Sequence, residues 1–263
     1  MIAPNGVETI PRTVGHRAAT RARSASRIAI RRTLLVRALG LLALLFLLAD
    51  LIVQTLDSEL EPQATIWPHF VRFLDLNSES SLPTWFSISL LSSAALLTAV
   101  IAAAAWSRRE RFRWHWTLLA VLIVGFSVDE GAQIHDTPDG VPLRDIVGTS
   151  GVLYYAWVVP ALISAVIVGL VFARFLFALP PQAKLFFILS AATFMAGAVG
   201  LEMVSGWYAE RHPGPSLGYA TLSSLEEFLE MCGVILLITG LLHYAAGRIG
   251  HTDIIWEPDD SSP

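Results

Sequence analysis

The chain of 263 residues holds one cysteine, one lysine and few charges of either sign. The lone Cys232 rules out an intramolecular disulfide and any site built from clustered thiolates. The lone Lys184 falls at the edge of an apolar run, so no lysine is placed to hold retinal as a Schiff base. His115, His135, His212 and His243 all fall near the ends of apolar runs, which removes the facing pair that a bis-histidine haem needs. Neither nucleotide nor nucleic acid is expected as a ligand, and there is no internal repeat. Charged residues make up 15% of the chain against 54% hydrophobic, with a mean hydropathy of +0.58, which lies outside the range of ordinary soluble domains.

What is present is a series of long apolar runs. A bilayer needs about 20 such residues, and six stretches qualify: about 34–56, 85–106, 116–134, 152–179, 183–208 and 219–244. They predict an all-α polytopic bundle of six transmembrane helices over residues 34–246, between a basic, disordered tail at 1–33 and a second tail at 247–263. The 17 arginines decide the orientation. The first tail with Arg37 just beyond it, the Arg108–Arg113 loop, the 174–184 loop and Arg248 collect 15 of the 18 basic residues, so the positive-inside rule puts both termini in the cytoplasm. Arg31-Arg32-Thr-Leu-Leu resembles a twin-arginine export signal, but no small-residue cleavage site follows, and the arginines read better as holding the N-terminus inside. The expected location is a bacterial inner membrane, with the lipid bilayer as the first partner.

Between the first two runs, Ile66, Trp67, Phe70, Val71 and Leu74 recur at helical spacing, which predicts a short amphipathic helix on the outer membrane surface. Pro160 is expected to kink the fourth span. Ala196, Gly197 and Gly200 give the fifth a small-residue face for close helix contact.

The stretch Gly125–Asp136, GFSVDEGAQIHD, interrupts an apolar run with Asp129, Glu130, His135 and Asp136. Asp50, Glu202 and the group Glu226, Glu227 and Glu230 recur at a similar distance from the outer ends of other spans, about 10 Å deep by helix rise. An isolated carboxylate there costs about 2.5–3.5 kcal/mol on insertion scales, so these side chains should face inward and share protons, cations or donors. Carboxylates and a histidine from separate helices are the donor set of a zinc, iron or manganese site. The candidate ligands are Asp129, Glu130, His135, Glu202, Glu226 and Glu230, with Asp50, Gln133, Tyr208 and Glu227 in support. A structural reading competes: Ser223-Ser224-Leu-Glu226-Glu227 fits a helix-capping box.

The third run does not carry HExxH, so it cannot make a zincin site alone. Gly148-Thr149-Ser150-Gly151 matches the rhomboid-protease serine motif, but His243 would lie about 25 Å from Ser150 by helix rise, too far to act as its base. The strings Asp75–Glu79, Leu82-Pro83-Thr84-Trp85-Phe86-Ser87, Ser127-Val-Asp129-Glu130 with His135-Asp136, Gly200-Leu-Glu202-Met and Glu226-Glu227-Phe-Leu-Glu230-Met resemble a family of uncharacterised bacterial multipass membrane proteins, over about residues 35–246. That resemblance implies the architecture and no reaction.

Three functional classes follow. The first is a divalent-metal site acting on a lipid or quinone-like substrate. The second is a proton- or ion-coupled transporter. The third is a structural subunit that binds a membrane-protein partner or a second copy of itself.

Overall fold

A computed structural model describes residues 32–60, 67–78, 80–132, 134 and 150–248. Among these, every regular element is helical. The elements are α1 (Arg32–Leu60), α2 (Trp67–Leu74), α3 (Leu82–Ser107), α4 (Arg113–Ala132), a 3₁₀ turn (Gly151–Leu153), α5 (Val158–Ala178), α6 (Pro181–Met195), a π-helical segment (Ala196–Leu201), α7 (Glu202–Arg211) and α8 (Leu217–Arg248). Among the described residues, five helices are long and apolar enough to cross a membrane: α1, α3, α5, the continuous α6–π–α7 rod, and α8. The third expected run is helical as α4, but Trp114-His115-Trp116 at one end and Asp129-Glu130 at the other dilute its apolar middle.

The long helix α8 is the spine. It packs against α1, α3, α6 and the π segment, and half of its most apolar stretch is buried. Glycines allow the close approach to α6. A Cβ at Gly233 would lie 2.8 Å from the Phe194 Cβ and 2.9 Å from its Cα and N, and one at Gly240 would lie 2.8 Å from the Phe187 ring. Helices in lipid gain little by hydrophobic attraction, so this backbone proximity supplies the dispersion contact that holds them together.

Helices α3 and α4 form an antiparallel hairpin. Ser81 starts it, its Oγ accepting from the Thr84 N–H at 3.1 Å, with Pro83 in the first turn where a missing N–H costs nothing. Arg109, at φ 52°, turns the chain, and Ser92–Ser127 and Trp106–Thr117 hydrogen bonds tie the two helices. Trp116, 1% exposed, plugs the end of the bundle among Phe175, Phe187 and Tyr244.

Two sequence expectations change. The run at 152–179 is not one helix, because the 3₁₀ turn is followed by a bend and α5 begins at Val158. Pro160 therefore sits in the first turn of α5, where its lost N–H would be unpaired in any case, and it does not kink the helix. The short helix expected after Ile66 is present as α2, and the Trp67 indole N–H donates to Asp57 at 2.7 Å. Helix α5 is held mainly at its ends, by Trp157 at the start and by Phe172 and Phe175 against Phe112 and His115 at the finish. Its middle, from Leu162 to Leu170, is exposed. The basic tail and the 247–263 tail, apart from Arg32, Thr33, Gly247 and Arg248, lie outside the described residues.

Candidate functional site

The acidic stripe of α8 is not a helix cap. The helix opens at Leu217, and Ser216 makes its first bonds, its Oγ accepting from the Tyr219 N–H at 3.2 Å and its carbonyl from Ala220 at 3.0 Å. Glu226 and Glu230 come nine and thirteen residues later, about 14 and 20 Å along the axis. That is beyond the first turn where the helix dipole rewards acids. The capping-box reading of Ser223-Ser224 fails for the same reason, since both serines lie inside the helix and are buried.

What faces Glu226 is the π segment. At Ala196–Leu201 the α6–α7 rod takes one extra residue per turn, and Gly197 meets α8 so closely that a Cβ would lie 2.8 Å from the Glu226 carbonyl oxygen and 3.2 Å from the Glu230 Cγ. Such bulges are common at functional sites because they re-aim the side chains that follow. Here the next residue is Glu202, and its carboxyl hydrogen-bonds that of Glu226, with Glu230 and Glu227 close enough to act on Glu226 electrostatically. Two carboxyl groups can hydrogen-bond only with a proton between them, because ionised carboxylates are acceptors alone. The Trp157 indole N–H donates to Glu202 Oε1 at 3.0 Å.

Beyond Glu202 toward the 3₁₀ turn, the Tyr155 and Tyr219 hydroxyls hydrogen-bond at 3.0 Å. Tyr155 also feels the Glu202 charge, and burial followed by the Tyr219 bond pushes its phenol well above the usual range. Gly206 lets the Tyr154 and Tyr155 rings press on α7, with the nearest atom 3.0 Å from where a Cβ would stand. Glu210 accepts from the Gly151 N–H at 2.8 Å and fixes the turn.

Toward the opposite end of the rod, α6 and α8 pack closely at two glycines of α8. Phe194 lies against Gly233 and Phe187 against Gly240.

Asp50 belongs to a separate polar cluster on the α1 side of α8. It is 0% exposed and accepts from the Gln54 amide at 2.6 Å and from the Leu76 backbone N–H. Its Oδ2 lies 2.5 Å from the Ser224 Oγ, which is also 2.8 Å from the Ala220 carbonyl. A serine hydroxyl has one hydrogen, so when it donates to Ala220 the Asp50–Ser224 contact is completed by a proton on Asp50.

Of the residues expected at one site, the structure brings together Glu202, Glu226, Glu227 and Glu230. Asp129 and Glu130 end α4, half-buried and partnered. His135 and Gln133 lie outside the described residues. Tyr208 packs over the first turn of α8 at Gly218 and stacks on His212 at 4.3 Å. Among the described residues no group of three His, Cys, Asp or Glu gathers as a metal-binding array. Sequence reasoning missed Trp157, Tyr155 and Tyr219, which lie in a stretch read as one long span and at the mouth of another. It also used Ser224 as a cap when its helix position made it a buried partner.

A family model covers residues 26–245. The chain belongs to that family, described as domain of unknown function DUF8692. No curated protein and no solved structure matches the chain significantly. Membership is consistent with the architecture, and it brings no activity to the carboxyl cluster.

Proposed function

We propose that this is a multipass membrane protein, crossing the bilayer six times with α4 as the third crossing and both termini in the cytoplasm, whose function centres on the Glu202–Glu226 carboxyl pair. The pair holds a proton and exchanges it for a divalent cation, with the Glu230 charge nearby and Trp157 and Tyr155 as the neutral donors around it. The observation that carries this reading is the carboxyl–carboxyl hydrogen bond at the π segment. Like charges so close cannot both ionise at neutral pH without a compensating cation.

Zinc, iron and manganese are the candidate ions. The enzymatic form of the reading is a metal-activated water or oxidant acting on a lipid or quinone-like molecule. The exposed middle of α5 beside the site favours a substrate that arrives through the membrane. The apolar packing of Phe194 on Gly233 and Phe187 on Gly240 weighs against the transporter reading. A structural subunit would carry its acids on an outward face, whereas Glu226, Glu227 and Glu230 are all half-buried.

The test is metal analysis and proton release on purified full-length protein, beside Glu202→Gln and Glu226→Gln variants whose melting shows them folded. Roughly one ion bound per chain, with protons released on binding and both lost in the variants, is the expected result for such a linked site. Neither metal uptake nor proton release in the wild type would sink the proposal.

A further inference from the structure

At the opposite end of the bundle, α1, α6 and α8 line a half-open cavity of about 300 Å³. Arg32, Thr33, Val36 and Arg37 line it from one face of α1, Phe186 from α6, and Leu236, Thr239, Leu242 and His243 from α8. The spacing 33, 36, 37 is what places α1 residues on one helical face. The lining surface is mostly apolar, with the exposed Arg32 and Arg37 among the residues around it. Two arginines with no acid among the lining residues suit an anion, and the leucines, valine and phenylalanine suit hydrocarbon. The His243 Nδ1 lies 2.8 Å from the Thr239 carbonyl, which can only accept, so Nδ1 carries the hydrogen and the neutral ring's other nitrogen is an acceptor, suited to a head-group hydroxyl and not to the phosphate.

The surroundings say what kind of anion. Next to the cavity, α6 exposes Leu185, Ile188 and Leu189, and α1 exposes Leu34 and Leu41, an apolar surface on which acyl chains can lie. The same end of the molecule carries Arg108, Arg109, Arg111, Arg113, Arg174, Lys184 and Arg248. In the membrane orientation proposed above, that end meets the cytoplasmic leaflet, where anionic lipids concentrate and basic pockets between helices hold their head groups. The volume is at the lower end for ligand pockets, enough for a head group and not for a whole lipid.

We propose that this cavity binds the phosphate head group of an anionic phospholipid, its tails lying along the exposed faces of α1 and α6. Arg32 and Arg37 supply the charge-assisted hydrogen bonds, and Val36, Phe186 and Leu242 receive the glycerol end. The inference rests on the chain being embedded in a bilayer and is independent of the carboxyl pair, so loss of metal binding leaves it untouched.

The test titrates detergent-purified full-length protein with phosphatidylglycerol, with phosphatidylcholine and with inorganic phosphate, counting bound molecules by native mass spectrometry. The double variant Arg32→Gln, Arg37→Gln should weaken phosphatidylglycerol binding by about 30-fold while leaving phosphatidylcholine unchanged. Val36→Trp, which fills the cavity and keeps both arginines, should weaken it as well. The pair Arg109→Gln, Arg111→Gln, at the same end outside the cavity, should have little effect. Undiminished phosphatidylglycerol binding in both cavity variants, or an equal loss in the Arg109, Arg111 pair, would overturn the proposal. So would displacement of the lipid by millimolar inorganic phosphate, which would make the site one for the free ion.

Discussion

Replacing glycines one at a time by alanine tests the packing of α8 quantitatively. In a helix the change itself stabilises by about 1 kcal/mol. At Gly233 the new Cβ would stand 2.8–2.9 Å from three Phe194 atoms, two of them backbone, about 0.6 Å short of ordinary contact at 3.4 Å. No side-chain rotation relieves a backbone clash, so α6 and α8 must part along their contact, at an overpacking cost of about 1–3 kcal/mol. With the upper end of that range at this doubly backbone-limited position, Gly233→Ala should lose about 2 kcal/mol net, or about 4–8 °C in melting temperature. Gly197→Ala meets one backbone oxygen at 2.8 Å and two side-chain atoms beyond 3.0 Å, and should lose about 1 kcal/mol. Gly240→Ala meets the pivoting Phe187 ring and should come out near zero. Gly40, Gly125 and Gly169 have nothing within 4 Å, and alanine there should stabilise by about 0.5–1 kcal/mol. The assay is built in: Cys232 is the single cysteine and is half-buried, so a thiol-reactive dye reports thermal unfolding of α8. A Gly233→Ala protein that melts with the Gly40→Ala control would refute the argument.

Two further outcomes follow from the polar groups around α1. Asp50→Ala should cost about 3 kcal/mol, since Gln54, Ser224 and the Leu76 N–H each lose a buried partner at about 1 kcal/mol or more, whereas Asp50→Asn, which can accept from Gln54 and donate to Ser224, should cost under about 1 kcal/mol in the same dye assay. Asp75, in the loop before α3, has its pKa raised by burial and, secondarily, by the nearby Asp50, against a lowering bond from the Asn77 N–H. A raised folded pKa means that its stabilising contribution is complete below the unfolded value of about 4 and is lost as pH rises through the folded one. Asp75→Asn keeps the acceptor for the Asn77 N–H, which lies 2.9 Å from Oδ1, so the variant should melt higher than wild type at pH 8 and converge with it near pH 4. A variant that melts lower at pH 8 would show that the carboxylate is stabilising there.

The helices were legible because apolar runs long enough for a bilayer have few other readings, and Leu82-Pro83-Thr84 after Ser81 is a plain helix start. The break between Gly151 and Val158 was not legible, because Val152-Leu153-Tyr154-Tyr155-Ala156-Trp157 is as apolar as a span, and only its tertiary contacts with Glu202, Gly206 and Glu210 keep it out of the helix. Glu202, Glu226 and Glu230 could be found because a carboxylate deep in an apolar run is costly. That Asp50 is separate from them could not, since depth says nothing of which side of α8 a residue meets. Ser224 and Glu226 are two positions apart, about 200° around the helix, and so face different neighbours.

The π segment makes the phase of one helix depend on a single residue. Restoring regular α geometry there by deleting one residue between 196 and 201 would turn everything beyond it by about 100° and shift it by about 1.5 Å. Glu202 would leave Glu226, Gly206 would no longer meet Tyr155, and Glu210 would lose Gly151, all without altering one functional side chain. The chain length of this short stretch is thus as specific a requirement as the identity of the acids, and substitutions there should be borne far better than insertions or deletions.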